Sequence, residues 1–183
     1  MDQYLLRAYG EDRPGIVYRI TDELAKLNCN LSDSTMTDLE GQFVIMLSFS
    51  RELESTSALL EEHLCQRLKD LSLAIDVSPI NSRNLVPSVE CTQIAIRVFG
   101  ADRMGIVAGI TKVLYDFEIN IVNLRTSGTR SSTESGTLSN YLLLIVAEGQ
   151  ADLDVALIES KLTSIAGALG VHMSLDVVRA DTI

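Results

Sequence analysis

The sequence predicts an α+β fold made of two copies of one β-α-β-β-α-β unit, each a four-stranded antiparallel sheet with two helices on one face. Three observations predict it. The stretch Gly10-Glu-Asp-Arg-Pro-Gly-Ile-Val17 returns as Gly100-Ala-Asp-Arg-Met-Gly-Ile-Val107. Aligned without a gap, residues 4–33 and 94–123 share 11 identities in 30, against roughly two expected from ordinary residue frequencies. In both copies strand periodicity precedes the shared stretch and helical periodicity follows it.

In the first unit Tyr4, Leu6 and Ala8 alternate with Leu5, Arg7 and Tyr9, a strand that ends at Gly10. Ile16, Val17, Ile20, Leu24 and Leu27 then recur at helical spacing, and Asn28 closes the helix with a residue type that tolerates left-handed backbone. Residues 31–37 and 42–48 read as a hairpin around the turn at 38–41. Leu60, Leu64, Leu68 and Leu71 mark a second helix, and residues 73–77 a last strand. The second unit repeats the order: a strand with Ile94, Ile96 and Val98, a helix with Ile106, Ile110 and Leu114, and strands at 121–127 and 141–147. A helix with Leu157, Ile158, Leu162 and Ile165 and a strand at 171–178 complete it. Two right-handed crossovers place both helices of such a unit on one face of its sheet. Pro79 and Pro87 lie in the stretch between the units, so the chain divides into residues 1–79, an extended connection at 80–90, and residues 91–183.

The second unit carries about eight extra residues within 126–140, rich in Ser, Thr and Gly. They cannot build a core and read as a mobile hairpin loop or, functionally, as a lid or partner-contact segment. They lack the Gly-Lys-Ser/Thr ending of a phosphate-cradling loop.

Composition narrows the function. A formal net charge of −10 opposes a grip on nucleic-acid phosphates. The longest apolar run, residues 141–147, is too short to span a bilayer, and the amino terminus lacks the basic and apolar regions of a signal peptide, which implies a cytoplasmic protein without a membrane partner. Cys29, Cys65 and Cys91 are far apart and have only His63 and His172 as companions, so they read as buried thiols with neither zinc nor disulfides. The two histidines read as surface or structural residues. No Ser/His/Asp or Cys/His set suggests catalysis, and no metal or cofactor is implied.

The candidate site residues lie in the repeat. Gly15 and Gly105 either serve packing and positive φ, or open the first-turn N–H groups of a helix to a carboxylate. Asp12 and Asp102 either cap those N–H groups or accept the ammonium of a zwitterion whose carboxylate the N–H groups bind. Arg13 and Arg103 are solvated or anchor an interface. Asn30 and Asn120 are turn formers or read polar ligand atoms. Ser32, Asp33 and Ser34 face Val122, Asn123 and Leu124 across the repeat, so the two sites are not expected to be equivalent. Met104 in place of Pro14 removes a fixed φ and is expected to loosen the second turn.

The pattern of strand, Gly-x-Asp-Arg-Pro-Gly-Ile-Val, helix and Asn-Cys-Asn-Leu resembles the ACT domain family, ferredoxin-like βαββαβ modules known as amino-acid sensors. The resemblance covers nearly the whole chain twice. It implies ligand binding at interfaces between modules by the turn before the first helix and the start of the second strand. Position by position these are Asp12, Arg13, Gly15, Ile16, Asn30 and Leu31, and Asp102, Arg103, Gly105, Ile106, Asn120 and Ile121. A freestanding chain of two such units is similar to transcriptional repressors of that family, which act without a DNA-binding motif of their own by contacting a DNA-binding regulator in a manner set by glycine. The expected function is non-enzymatic: a small, glycine-like amino acid is bound and a protein partner is modulated. Exposed edge strands are open to side-by-side pairing within the chain or in a homodimer. The rival readings are a small ferredoxin-like enzyme of amino-acid metabolism and a structural adaptor without a ligand.

Overall fold

The computed structural model describes residues 2–52, 56–80, 91–133 and 136–178, with the side chains of 129–139 left aside. The chain forms two compact units, Met1–Val86 and Pro87–Ile183. The first contains β1 (Asp2–Glu11), α1 (Ile16–Lys26), β2 (Cys29–Leu39), β3 (Gln42–Arg51), α2 (Ser57–Arg67), a 3-10 turn (Lys69–Leu71) and β4 (Ala74–Pro79). The second contains β5 (Cys91–Ala101), α3 (Ile106–Asp116), β6 (Asn120–Thr133), β7 (Gly136–Gln150), α4 (Val155–Leu169) and β8 (Val171–Val178). Both sheets are antiparallel, in the order β2-β3-β1-β4 and β6-β7-β5-β8.

Alternation along the central strands sends one set of side chains under the helices. In the first unit Leu6, Phe43 and Phe49 meet Ile20, Leu24 and Leu64 in a core of its own. In the second, Ile96, Leu143 and Ile145 meet Ile110, Leu114 and Leu162. Burying each such side chain contributes roughly 1.5–3 kcal/mol, so each unit holds its own driving force for folding. The opposite face of each sheet has no helix of its unit over it.

Two expectations need correction. The extra residues at 126–140 are not an unstructured loop: β6 and β7 continue as a paired ladder to Thr133↔Gly136, and only Glu134 and Ser135 at the tip lie outside the described residues. Polar composition removes a segment from the core, but it does not stop Thr-rich chain from keeping ladder hydrogen bonds. The cysteines are less buried than expected: Cys29 is half-buried, while Cys65 and Cys91 are exposed. Pro79 closes β4, and the remaining stretch at 81–90 lies outside the described residues. Among the described residues, no helix is long and apolar enough to cross a membrane.

Candidate ligand site

The shared turn is built by two residues. Arg13, Pro14, Gly15 and Ile16 form a type II turn, with proline at its second position and Gly15 at its third, φ 93° and ψ −3°. The Ile16 N–H donates to the Arg13 carbonyl at 3.4 Å. Gly105 takes the same conformation, φ 89° and ψ −1°, although Met104 stands where the first copy has proline. The Ile106 N–H makes no matching bond to the Arg103 carbonyl, and proline's restriction acts on the unfolded chain as well. Positive φ is what requires glycine here, because an added Cβ would meet nothing within 4 Å at either position.

Each glycine is also the N-cap of its helix, and its carbonyl accepts the first helical hydrogen bond, from Arg19 N–H at 3.0 Å and from Gly109 N–H at 2.8 Å. Glycine brings no side-chain acceptor, so α1 and α3 start without a side-chain cap and without an acidic residue in the first turn. Among the described residues nothing accepts from the N–H groups of Val17 and Tyr18, or of Val107 and Ala108. The other two helices are finished differently. Thr56 Oγ1 accepts from Leu59 N–H at 3.4 Å, and Asp154 Oδ1 accepts from Leu157 N–H at 3.0 Å. The chain thus caps the second helix of each unit and leaves the first open, with its positive dipole end in solvent.

Asp12 and Asp102 do not cap these helices, which corrects one of their two readings; each lies three residues ahead of its glycine N-cap. Asp12 instead uses its backbone, donating to the Gly41 carbonyl at 2.9 Å and fixing the turn against the β2–β3 hairpin. Its carboxylate is exposed and has no partner among the described residues. Asp102 lies in the electrostatic reach of Tyr141, whose phenol burial pushes above its ordinary value while Thr126 hydrogen-bonds it. Strand register puts Phe43 at the matching place in the first unit, so one turn has an aromatic edge and the other a hydroxyl.

The two arginines diverge. Arg13 pairs with Glu11 at 2.7 Å within its own turn, and that hydrogen bond holds the Glu11 carboxyl below its usual range. Arg103 donates to the Leu169 carbonyl at 3.2 Å, at the carboxyl end of α4, where cations are favoured. Ile16 and Ile106 are core residues that reach the site only through their backbone.

Asn30, Leu31, Asn120 and Ile121 stand elsewhere. Because α1 runs back along the sheet, its exit lies at the opposite end from its entry. Asn30 pairs with Ser50, which pairs with Gln3 at the beginning of β1, whereas the turn follows Glu11 at its end. About eight strand residues, or 26 Å, separate the two groups. Asn120 and Ile121 start β6 in the same way, against Glu148 and Ala147. Within one unit the structure brings Asp12, Arg13, Gly15 and Ile16 together, and likewise their counterparts, but not the strand residues with them. A β-bulge follows each strand start, at Ser32 and Asp33 and at Val122, and the Asp33 N–H donates to Ser48 Oγ at 3.0 Å.

Sequence reasoning missed the contrast in capping. Its signal was available: Thr56 and Asp154 stand immediately before their helices, and glycine stands before Ile16 and Ile106. The contributions of Gly41 and Tyr141 depend on strand pairing and had no such signal.

Two lobes of this topology, each with a glycine-capped first helix, define a class. The chain belongs to the ACT domain family, whose pattern it matches at residues 2–78 and 92–176. It is similar to the glycine cleavage system transcriptional repressors of Escherichia coli (strain K12) and Shigella flexneri, each 26% identical over 174 residues, covering 95% of this chain and 89% of the relative. A crystal structure of a protein from Galdieria sulphuraria, described as unknown, superposes with a TM-score of 0.85 at 23% identity, covering 97% of this chain and 99% of that one. That likeness concerns the fold.

Proposed function

We propose that this chain is a regulatory protein that binds a small amino acid of the glycine class and, through the arrangement of its modules, modulates a protein partner such as a DNA-binding transcription regulator. The observation that carries the reading is the pair of uncapped helix starts beside a free carboxylate. A zwitterion meets both needs: its carboxylate accepts from the open first-turn N–H groups, and its ammonium neutralises Asp12 or Asp102. Charge is matched within the ligand, so little uncompensated charge leaves water. The strand starts at Asn30 and Asn120 lie about 26 Å from the turn of their own unit. A ligand that touches both groups therefore joins two modules, and its binding favours one arrangement over another by linkage. The net charge of −10 favours acting through a protein rather than on DNA directly, and the repressor names of the relatives support the same reading.

A thermal-shift survey of the twenty amino acids on wild type and Asp12→Ala tests it. A ligand at a hundred times its Kd should stabilise the wild type by about 2.7 kcal/mol. Asp12→Ala should lose the response of the first site while keeping its ligand-free melting temperature, because the Asp12 side chain holds nothing in the fold. No response to any amino acid would remove the proposal.

A further inference from the structure

Across the helix-free face of the second sheet, register lines up His172 of β8, Phe99 of β5, Leu142 of β7 and Ser127 of β6 in one row. The first two rings stack, with centroids 5.0 Å apart and planes 22° from parallel. That distance is close to the separation of about 4.8 Å between neighbouring strands, so the strands set the pitch of a stack. The next place in it, above Leu142, holds no ring. A recess of about 430 Å³ opens there, lined by Phe99, Leu142, Ser127 and Asn140, with Gly100 and Tyr141 beside them. Duplication alone does not account for the row: in the first unit Tyr9 stands where Phe99 does, but Ala74 faces it in place of His172, and Val44 and Thr37 take the places of Leu142 and Ser127.

The lining selects the occupant. With His172 against one side of it, the Phe99 ring has its other side toward the recess, where a flat aromatic ring gains both apolar contact and stacking. Leu142, 39% exposed, is the floor. Among the described residues the lining carries no charged side chain, so a zwitterion, a carboxylate or a phosphate would leave water there without a counter-charge. Ser127 and Asn140 supply a hydroxyl and an amide, which call for hydrogen-bonding groups on the edge of the ring. An amide presents one acceptor beside one donor, the complement of the N6–H donor and N7 acceptor of adenine. The volume lies within the range of about 300–1,000 Å³ usual for small-molecule sites.

We infer that this recess binds a free, neutral heteroaromatic base of the adenine type, its ring stacked on Phe99 and its edge read by Asn140 and Ser127. The net charge of −10 opposes a nucleic-acid chain as the source of the base. The site lies within the second unit and uses neither the glycine turns nor the strand starts, so it stands or falls apart from the amino-acid reading.

Equilibrium dialysis of the full chain against radiolabelled adenine tests it. The wild type should take up one adenine per chain in a saturable manner. Hypoxanthine, which offers two acceptors where adenine offers a donor and an acceptor, should bind about tenfold more weakly. Phe99→Ala should weaken adenine about tenfold through lost stacking. Asn140→Ala should erase the preference for adenine over hypoxanthine. Both substitutions fall at exposed positions, and the comparison of the two bases on the wild type needs no variant at all. No saturable uptake at about 5 mM adenine, equal affinity for the two bases, or undiminished binding in Phe99→Ala would overturn the inference.

Discussion

At Gly15 and Gly105 the requirement for glycine is one of backbone angle. Gly15→Ala meets no atom but must hold a side chain at φ 93°, so it should cost about 1 kcal/mol, read as a lower urea midpoint with an unchanged slope. Gly105→Ala should cost the same. Because Gly105 keeps the dihedral angles of Gly15 behind Met104, Met104→Pro should stabilise by about 0.5 kcal/mol through the unfolded chain. The sequence made the turn and its glycines readable, since Asp-Arg-Pro-Gly is turn chemistry with few alternatives. It misassigned Asp12 and Asp102 as candidate caps, because a carboxylate near a helix start caps only when it stands immediately before the first turn, where glycine stands instead. Arg13 and Arg103, identical in sequence, found different partners, as the acceptors Glu11 and the end of α4 differ between the units.

The helix pairs show how one element pattern is held by two kinds of force. In the first unit Glu23, its side chain 5% exposed, sits between Lys26 Nζ at 2.9 Å and Arg67 Nε at 3.3 Å, with His63 Nε2 at 3.9 Å. Arg19 grips Asp70 with two bonds of 3.0 Å. In the second unit the matching positions are Val113, which is buried, and Gly109, where an added Cβ would lie 3.1 Å from Ile165. Polar clasps hold α1 to α2; close apolar packing holds α3 to α4. The hydrogen bond from Lys26, with that from Arg67, holds the Glu23 carboxyl below its ordinary value of 4.5 despite partial desolvation. A lowered folded pKa means that this stabilisation is fully present above the unfolded value and lost as pH falls through the folded one. Glu23→Gln should therefore cost about 2 kcal/mol near neutral pH, with the difference from wild type closing below pH 4.5, followed by denaturant titration at several pH values. Gly109→Leu should cost about 2 kcal/mol by overpacking, at any pH. The sequence showed the helices themselves, because apolar spacing fixes them. It did not show their clasps, which join residues such as Arg19 and Asp70 that only tertiary contact brings together. The β6–β7 extension was hidden likewise, since a polar hairpin lacks the apolar alternation that marks a strand.

Over the whole molecule the duplication yields two cores, each assembled from its own unit. Ile20→Ala should lower the stability of the first unit by about 3 kcal/mol and leave hydrogen-exchange protection of the core strands β5 and β7 unchanged. The repeat was readable because identical residues fell at a constant offset, and repeated element order implied repeated topology. The distance between the turn and the start of the second strand was not readable from neighbouring motifs, since it follows from the direction in which α1 returns along the sheet. Because of that distance, one small ligand reaches both groups only where a second module supplies one of them. A titration of the nitrogen-15-labelled chain with glycine, followed by amide resonances, tests it most directly. The account predicts saturable shifts concentrated at Gly15, Ile16 and Val17 and at the strand start around Asn30, or at their counterparts in the second unit. A saturating titration in which the turn amides stay still, or in which shifts gather elsewhere, would contradict it.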